Sequence, residues 1–258
     1  MEYSTLGSTG VTVSRLGFGG APAGLKNYVR YYDPADQNEQ ENFIKALRLA
    51  VERGITYFDT APAYGNGLSE ELFGRGLSEF RKDIFISTKI SLSERNTVQA
   101  SVEKSLERLQ TDYVDLIQIH GLTYDKETAD SILAPGGMLD QMEVLKKKGM
   151  TRFIGFTSED NNDAVYRFIR CCRFDVMQLW YNFISQHPYI PCRPFGSFYE
   201  AEQSGLGITV MRTPTSGTFQ KWIQMVNPGN TFDYSTSLIQ FVLSNPLVEV
   251  AQIGRASC

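Results

Sequence analysis

Asp59, Tyr64, Lys89 and His120 of this 258-residue chain have types and spacing suited to a single piece of proton-transfer chemistry. A tyrosine hydroxyl has a reference pKa of about 10 and is a poor acid near neutrality. An ammonium about 4 Å away, at an effective dielectric near 20, favours the phenolate by about 4 kcal/mol. That is roughly three pKa units before a nearby carboxylate offsets part of it. Lys89 would therefore bring Tyr64 towards working pH. Asp59 would keep Lys89 charged and in place, since a buried Lys needs a carboxylate. His120 would donate or accept a hydrogen bond at the same oxygen and orient a substrate. Such a device protonates a carbonyl oxygen while hydride arrives at carbon. The hydride must come from a cofactor, because no side chain supplies one. Taken singly the four are ordinary: a strand-end Asp caps turns, and a loop Tyr packs. Their placement on neighbouring elements makes them a candidate site.

The elements that must position them are legible as an alternation. Short runs rich in β-branched and aromatic residues predict strands at 16–19, 55–59, 84–89, 114–120, 153–157, 176–179, 208–212 and 248–253. Between them run helical stripes such as Phe43–Leu47–Ala50–Val51, Val98–Val102–Leu106–Leu109 and Val165–Phe168–Ile169. Strands recurring about every 33 residues, each followed by a helix, make βαβ units and a parallel sheet. Eight of them in this length predict an α/β fold, a (β/α)8 TIM barrel occupying 1–258 as one domain. In that fold chemistry sits at the C-terminal ends of the strands. Asp59 ends the second predicted strand, Lys89 the third and His120 the fourth, and Tyr64 follows Asp59 in the loop Thr60-Ala61-Pro62-Ala63-Tyr64-Gly65. Segments 2–6 and 11–14, flanking a glycine-bounded turn, predict a hairpin that plugs the barrel floor. Residues 213–230, rich in Gly, Pro and Asn, read as the longest loop. Only 254–258 follow the last strand, so a last helix is expected to be lacking and the chain to be C-terminally short.

Composition narrows the function. Hydrophobic residues are 42% and charged residues 21%, an ordinary globular balance that excludes a disordered chain. Lys and Arg number 25 against 29 Asp and Glu, with no basic block, so no nucleic-acid partner is expected. No signal-like or bilayer-spanning run occurs, which predicts a cytoplasmic protein without a membrane partner. The four cysteines form no C-x-x-C pair and there are only two histidines, so no metal site is expected. Neither Gly17-Phe18-Gly19-Gly20-Ala21-Pro22 nor Gly65-Asn66-Gly67-Leu68-Ser69-Glu70 fits the dinucleotide fingerprint G-x-G-x-x-G, so a dinucleotide would lie across the barrel mouth.

The chain resembles the aldo-keto reductases. The resemblance is carried by Leu16-Gly17-Phe18-Gly19-Gly20, by Tyr57-Phe58-Asp59-Thr60-Ala61-Pro62-Ala63-Tyr64-Gly65 and by Ser87-Thr88-Lys89. It continues through residues 105–120, Ser-Leu-Glu-Arg-Leu-Gln-Thr-Asp-Tyr-Val-Asp-Leu-Ile-Gln-Ile-His, to Phe153-Ile154-Gly155-Phe156. It implies a barrel that binds NADP(H), with NAD(H) as the alternative, and that reduces small-molecule aldehydes, ketones or sugars as a monomer or weak homo-oligomer. The family's Asp–Tyr–Lys–His tetrad falls on Asp59, Tyr64, Lys89 and His120. Its Ser-Asn pair for the nicotinamide carboxamide falls on Thr157 and Ser158, and its strand-six Gln on Gln178. Arg212 stands where a Tyr often stacks on the nicotinamide, so a guanidinium plane would take that role. Gly20, Thr213, Pro214 and Gly217 would line the cofactor, and Arg255 would pair with a phosphate. The rival reading is a non-catalytic nucleotide-binding or interaction subunit on the same barrel, since fold alone does not fix function. The segments 24–33 and 121–136 are expected to line the substrate pocket; Trp180 and Tyr181 stand near the right strand end, where pocket lining and core packing are equally open to them.

Overall fold

The computed structural model describes residues 1–28 and 32–254. An antiparallel hairpin opens the chain: β1 (Tyr3–Thr5) and β2 (Thr12–Ser14), joined through a 3-10 turn at Gly7–Thr9. Parallel strands then close a barrel. They are β3 (Leu16–Gly19), β4 (Tyr57–Asp59), β5 (Phe85–Ser91), β6 (Val114–His120), β7 (Thr151–Ser158), β8 (Val176–Trp180), β9 (Gly207–Met211) and β10 (Val250–Gly254). Each pairs with the next in sequence, and β10 returns to β3, so no edge is left unpaired. The predicted eight-stranded barrel and its hairpin are both present. No helix among the described residues is long and apolar enough to cross a membrane.

The outer helices are α1 (Ala21–Gly24), α2 (Gln37–Glu52), α3 (Leu68–Leu77), α4 (Val98–Leu109), α5 (Lys126–Leu133), α6 (Met138–Lys147), α7 (Asp163–Arg170), α8 (Ser197–Gln203), α9 (Thr218–Val226) and α10 (Ser235–Leu243). The longest, α2, is capped by Asp36, whose side chain accepts from the Asn38 N–H, and it buries Phe43, Ile44, Leu47 and Ala50. The segment expected to be one long loop, 213–230, contains α9. Its Phe219, Trp222, Ile223 and Val226 keep a helical spacing, but none of its residues is buried, so only local pattern marks it. The flanking Gly, Pro and Asn obscure that pattern. Arg255, with the rest of 255–258, and Tyr31 lie outside the described residues.

The barrel interior is layered. Tyr57, Leu116, Val176 and Val250, from the alternate strands β4, β6, β8 and β10, form an apolar floor sealed below by Leu6 and Val13 of the hairpin. Side chains two residues apart on a strand share a face. The next layer up those same strands is therefore Asp59, Gln118, Gln178 and Gln252, all buried. Four side chains per layer from alternate strands is the packing rule of such barrels; here one layer is polar. Between the two layers, Phe58, Ile117, Met177 and Ala251 point outwards into the helix-packed core.

Glu249 ties the hairpin to the barrel. Its carboxylate accepts the N–H of Gly7 at 2.9 Å and that of Ile208 at 2.8 Å. Burial pushes its pKa up to about 7, against the pull of those two donors, from an ordinary 4.5. Between these values the folded chain binds more protons than the unfolded one. This contribution to stability is full below the lower value and is lost as pH rises through the upper one. Thermal melts across that window should show the loss in the wild type and a flatter dependence in Glu249→Gln. Equal slopes in the two proteins would refute the assignment.

Candidate active site

The strand ends and the loop after β4 bring the four predicted chemical groups together. Asp59 is the last residue of β4 and His120 the last of β6, and Lys89 lies near the end of β5. Lys89 Nζ donates to Asp59 Oδ2 at 2.5 Å and to the Thr60 carbonyl at 2.8 Å, with both side chains buried. The ammonium lies 5.1 Å from the centre of the Tyr64 ring. The imidazole of His120 meets that ring edge-on, centroids 5.7 Å apart.

The loop that carries Tyr64 is held by its backbone. The Tyr64 N–H donates to the Ala61 carbonyl at 3.1 Å, and the Tyr64 carbonyl accepts from the Ser69 N–H at 3.2 Å. Gly65 and Gly67 adopt positive φ there, 71° and 97°. Gly24, the last residue of α1, lies against the same carbonyl, and a methyl on it would collide with that oxygen. Gly20 is anchored by its N–H to the Asp59 carbonyl at 2.7 Å and accepts from Ser69 Oγ at 2.9 Å. The Tyr64 loop, the β3–α1 turn and the end of β4 thus form one braced unit.

Electrostatics distinguish the four groups. Burial disfavours the Lys89 ammonium, but the Asp59 carboxylate and the Tyr64 oxygen overcome it and hold its pKa above the ordinary value. Burial raises the Asp59 carboxyl, with Lys89 opposing it. Burial, reinforced by Lys89, pushes His120 down to about 3, so the ring is neutral and has one donor and one acceptor nitrogen. Tyr64 differs from the expectation. Burial raises its pKa and outweighs the opposing pull of Lys89, so the net displacement is upwards. The sequence shows the cation but not the loss of water around the phenol.

Asp59, Tyr64 and His120 line a cavity of about 530 Å³ at this end of the barrel. Of the other predicted residues, Gly20, Gln178, Arg212, Pro214 and Gly217 line it as well. Thr157 and Ser158 do not. The Thr157 hydroxyl donates to the Gly121 carbonyl at 2.8 Å and accepts the Gly121 N–H at 3.1 Å. Ser158 Oγ accepts the Asp160 N–H at 3.0 Å. Both hydroxyls brace the loops that leave β6 and β7. Arg212 reaches the cavity wall, but its guanidinium pairs with Glu159, Nε to Oε1 at 3.0 Å, and lies 5.3 Å over the Trp180 ring. One of its faces is therefore covered by protein. Its backbone adopts φ 58°, unusual for a side chain of this size. Of 24–33, Leu25 and Tyr28 line the cavity; of 121–136, Leu122 does. Tyr32 is buried and donates to the Ala23 carbonyl at 3.0 Å, and Tyr181 is core.

Sequence reasoning missed Gln118, Gln252, Glu159 and Lys221. Gln252, Glu159 and Lys221 line the cavity. Gln118 supports the layer from within: its Nε2 lies 2.9 Å from Gln178 Oε1, 2.9 Å from Ser87 Oγ and 3.3 Å from Asp59 Oδ1. For Gln118 and Gln252 the available signal is an amide inside a mostly apolar strand run, since buried parallel strands are otherwise near-continuously hydrophobic; Glu159 and Lys221 lie outside the strands and carry no such signal.

The family model described as "Aldo/keto reductase family" matches residues 15–252. Among curated proteins, the chain is 34% identical over 166 residues to an L-galactose dehydrogenase of Arabidopsis thaliana, covering 61% of this chain and 48% of that protein. It is 36% identical over 132 residues to the aldo-keto reductase YhdN of Bacillus subtilis, covering 46% and 38%. The chain thus spans half or less of the length of these two relatives. Among solved structures, the aldo-keto reductase AKR11C1 of Bacillus halodurans superposes with a TM-score of 0.77 at 23% identity, covering 100% of this chain and 87% of that one. An aldo/keto reductase of Klebsiella pneumoniae, solved with NADP and acetate, gives 0.73 at 23% identity, covering 97% and 84%. The barrel, the motifs on its strand ends and the match across nearly all of its residues have one common explanation: the chain belongs to the aldo/keto reductase family.

Proposed function

We propose that the chain is an NADP(H)-dependent oxidoreductase that interconverts the carbonyl of an aldehyde, ketone or sugar with the corresponding alcohol, with Tyr64 as general acid/base. The observation that carries this reading is the convergence of the buried Lys89–Asp59 pair, Tyr64 and neutral His120 at one cavity. A volume of about 530 Å³ falls in the range of small-molecule sites. The cavity residues suit the cofactor. Gln178 and Gln252 offer amides to it, Lys221 brings positive charge for phosphates while Arg212 is balanced by Glu159, and Gly217 opens α9 with positive φ. The bound cofactor supplies the hydride.

The chain's own residues do the rest. Tyr64 keeps its proton at neutral pH, because burial outweighs Lys89, and gives it to the carbonyl oxygen as that oxygen gains charge. Lys89 then stabilises the phenolate left behind, and Asp59 keeps Lys89 charged. Neutral His120 donates one hydrogen bond that orients the oxygen. The L-galactose dehydrogenase relative supports including sugars among the substrates. The test is turnover of an aldehyde and aldose panel with NADPH and with NADH. NADPH oxidation that depends on substrate is expected, and none with either cofactor would overturn the reading.

A further inference from the structure

The polar layer of the barrel is a wired chain of amides. Asp59 Oδ1 can only accept, so the Gln118 amide must turn its Nε2 towards it. The same Nε2 then faces Gln178 Oε1 at 2.9 Å. With its oxygen accepting, Gln178 is left to donate, and its Nε2 lies 3.4 Å from Gln252 Oε1. Gln252 is thereby left with a donor, Nε2, which is buried and has no partner among the described residues. One carboxylate sets the direction of three amides, and the chain ends on an uncommitted N–H group. Gln252 itself is 6% exposed and belongs to the cavity lining.

A buried donor without an acceptor is costly, and a bound ligand relieves that cost by supplying the acceptor. The stem of Gln252 is seated over Gly17, where an added methyl would lie 3.4 Å from Cγ and only 2.9 Å from Val250 Cγ1. Meanwhile the hydroxyls expected to serve a carboxamide, Thr157 and Ser158, are spent on their own loops. Gln178 accepts from Gln118 and gives one of its two N–H groups to Gln252.

We propose that Gln252 is a cofactor-positioning residue. Its Nε2 donates to the carbonyl oxygen of the nicotinamide carboxamide, and the Asp59–Gln118–Gln178 chain holds it in that sense. The proposal rests on the NADP(H) reading above. It assigns recognition of that group to the last barrel strand.

The test is equilibrium binding to the full chain, followed by quenching of protein fluorescence, with three probes. NADPH carries the whole carboxamide. The 3-acetylpyridine analogue keeps the carbonyl oxygen and lacks the amide nitrogen. Adenosine 2′,5′-bisphosphate has no nicotinamide. Gln252→Met, of similar volume, is expected to weaken NADPH and the acetylpyridine analogue alike, by about tenfold, the scale of one lost hydrogen bond. It should leave the bisphosphate unchanged. Gln252→Glu, an isostere whose carboxylate offers no donor, should repeat the pattern, and thermal melts check that both variants fold. Unchanged NADPH binding, a loss confined to NADPH alone, or an equal loss for all three probes would overturn the proposal. A wild type that binds none of the three would instead overturn the cofactor reading on which it rests.

Discussion

Tyr64→Phe is expected to lower kcat for NADPH-dependent aldehyde reduction by about 10²–10⁴-fold, the usual contribution of a placed general acid. The change removes one oxygen and keeps the ring that meets His120 edge-on at 5.7 Å, so the loop has no reason to move. The loop's own hydrogen bonds come from backbone groups and Ser69; the phenol's polar partner is Lys89, which keeps Asp59 and the Thr60 carbonyl when the phenol is gone. Thermal stability and NADPH affinity should therefore change little. The pH dependence provides a second readout. Burial holds the Tyr64 hydroxyl protonated beyond the ordinary value of 10.0, so reduction should not lose its acid near neutrality. His120, at about 3, adds no inflection near the ordinary 6.5. Steady-state kinetics of both proteins check this. A Phe variant within about tenfold of wild type, or a wild-type step near the histidine value, would remove Tyr64 or the neutral His120 from their proposed roles.

Asp59→Asn is expected to have the largest effect on stability. The Lys89–Asp59 pair is buried on both sides, at 2.5 Å. Removing one partner of such a pair strands the other charge and costs about 3–5 kcal/mol. Lys89 would keep the Thr60 carbonyl as an acceptor, which does not neutralise it. Removing both charges in Asp59→Asn/Lys89→Met should recover much of the stability, because buried pairs are often replaceable by apolar groups. Activity should not return, since the phenol has then lost its cation. Denaturant unfolding of the wild type, both single variants and the double variant closes the cycle. A single Asp59 variant as stable as wild type would refute the account. So would a double variant no better than the single one.

Much of the candidate site is legible in the order of residues. Asp59 and His120 are strand-end residues, and in a parallel barrel strand ends converge whatever the details of packing. Tyr64 follows from the same logic, because a short loop after β4 cannot carry it far. The hairpin under the floor is also legible, since Leu6 and Val13 are apolar residues flanking a glycine-bounded turn. By contrast, α9 is hidden by its setting: its apolar stripe of Phe219, Trp222, Ile223 and Val226 is present in the sequence, but the Gly, Pro and Asn residues on either side make the whole stretch read as loop.

What belongs to the sequence by itself is the alternation of strand segments with helical stripes, the strand spacing and the identity of the groups at each strand end. These are local properties, and local sterics with hydrophobic patterning suffice for them. What only tertiary structure decides is which partner each polar group finds. Arg212 meets Glu159, 53 residues away, and Gln178 meets Gln252, 74 residues away. The upward displacement of Tyr64 likewise depends on how far the barrel mouth and its loops shield a half-buried phenol from water. Hydrogen bonds and solvation act at distances of a few ångströms in space. Closing the barrel, with the stagger that sets each layer, puts Asp59, Gln118, Gln178 and Gln252 side by side.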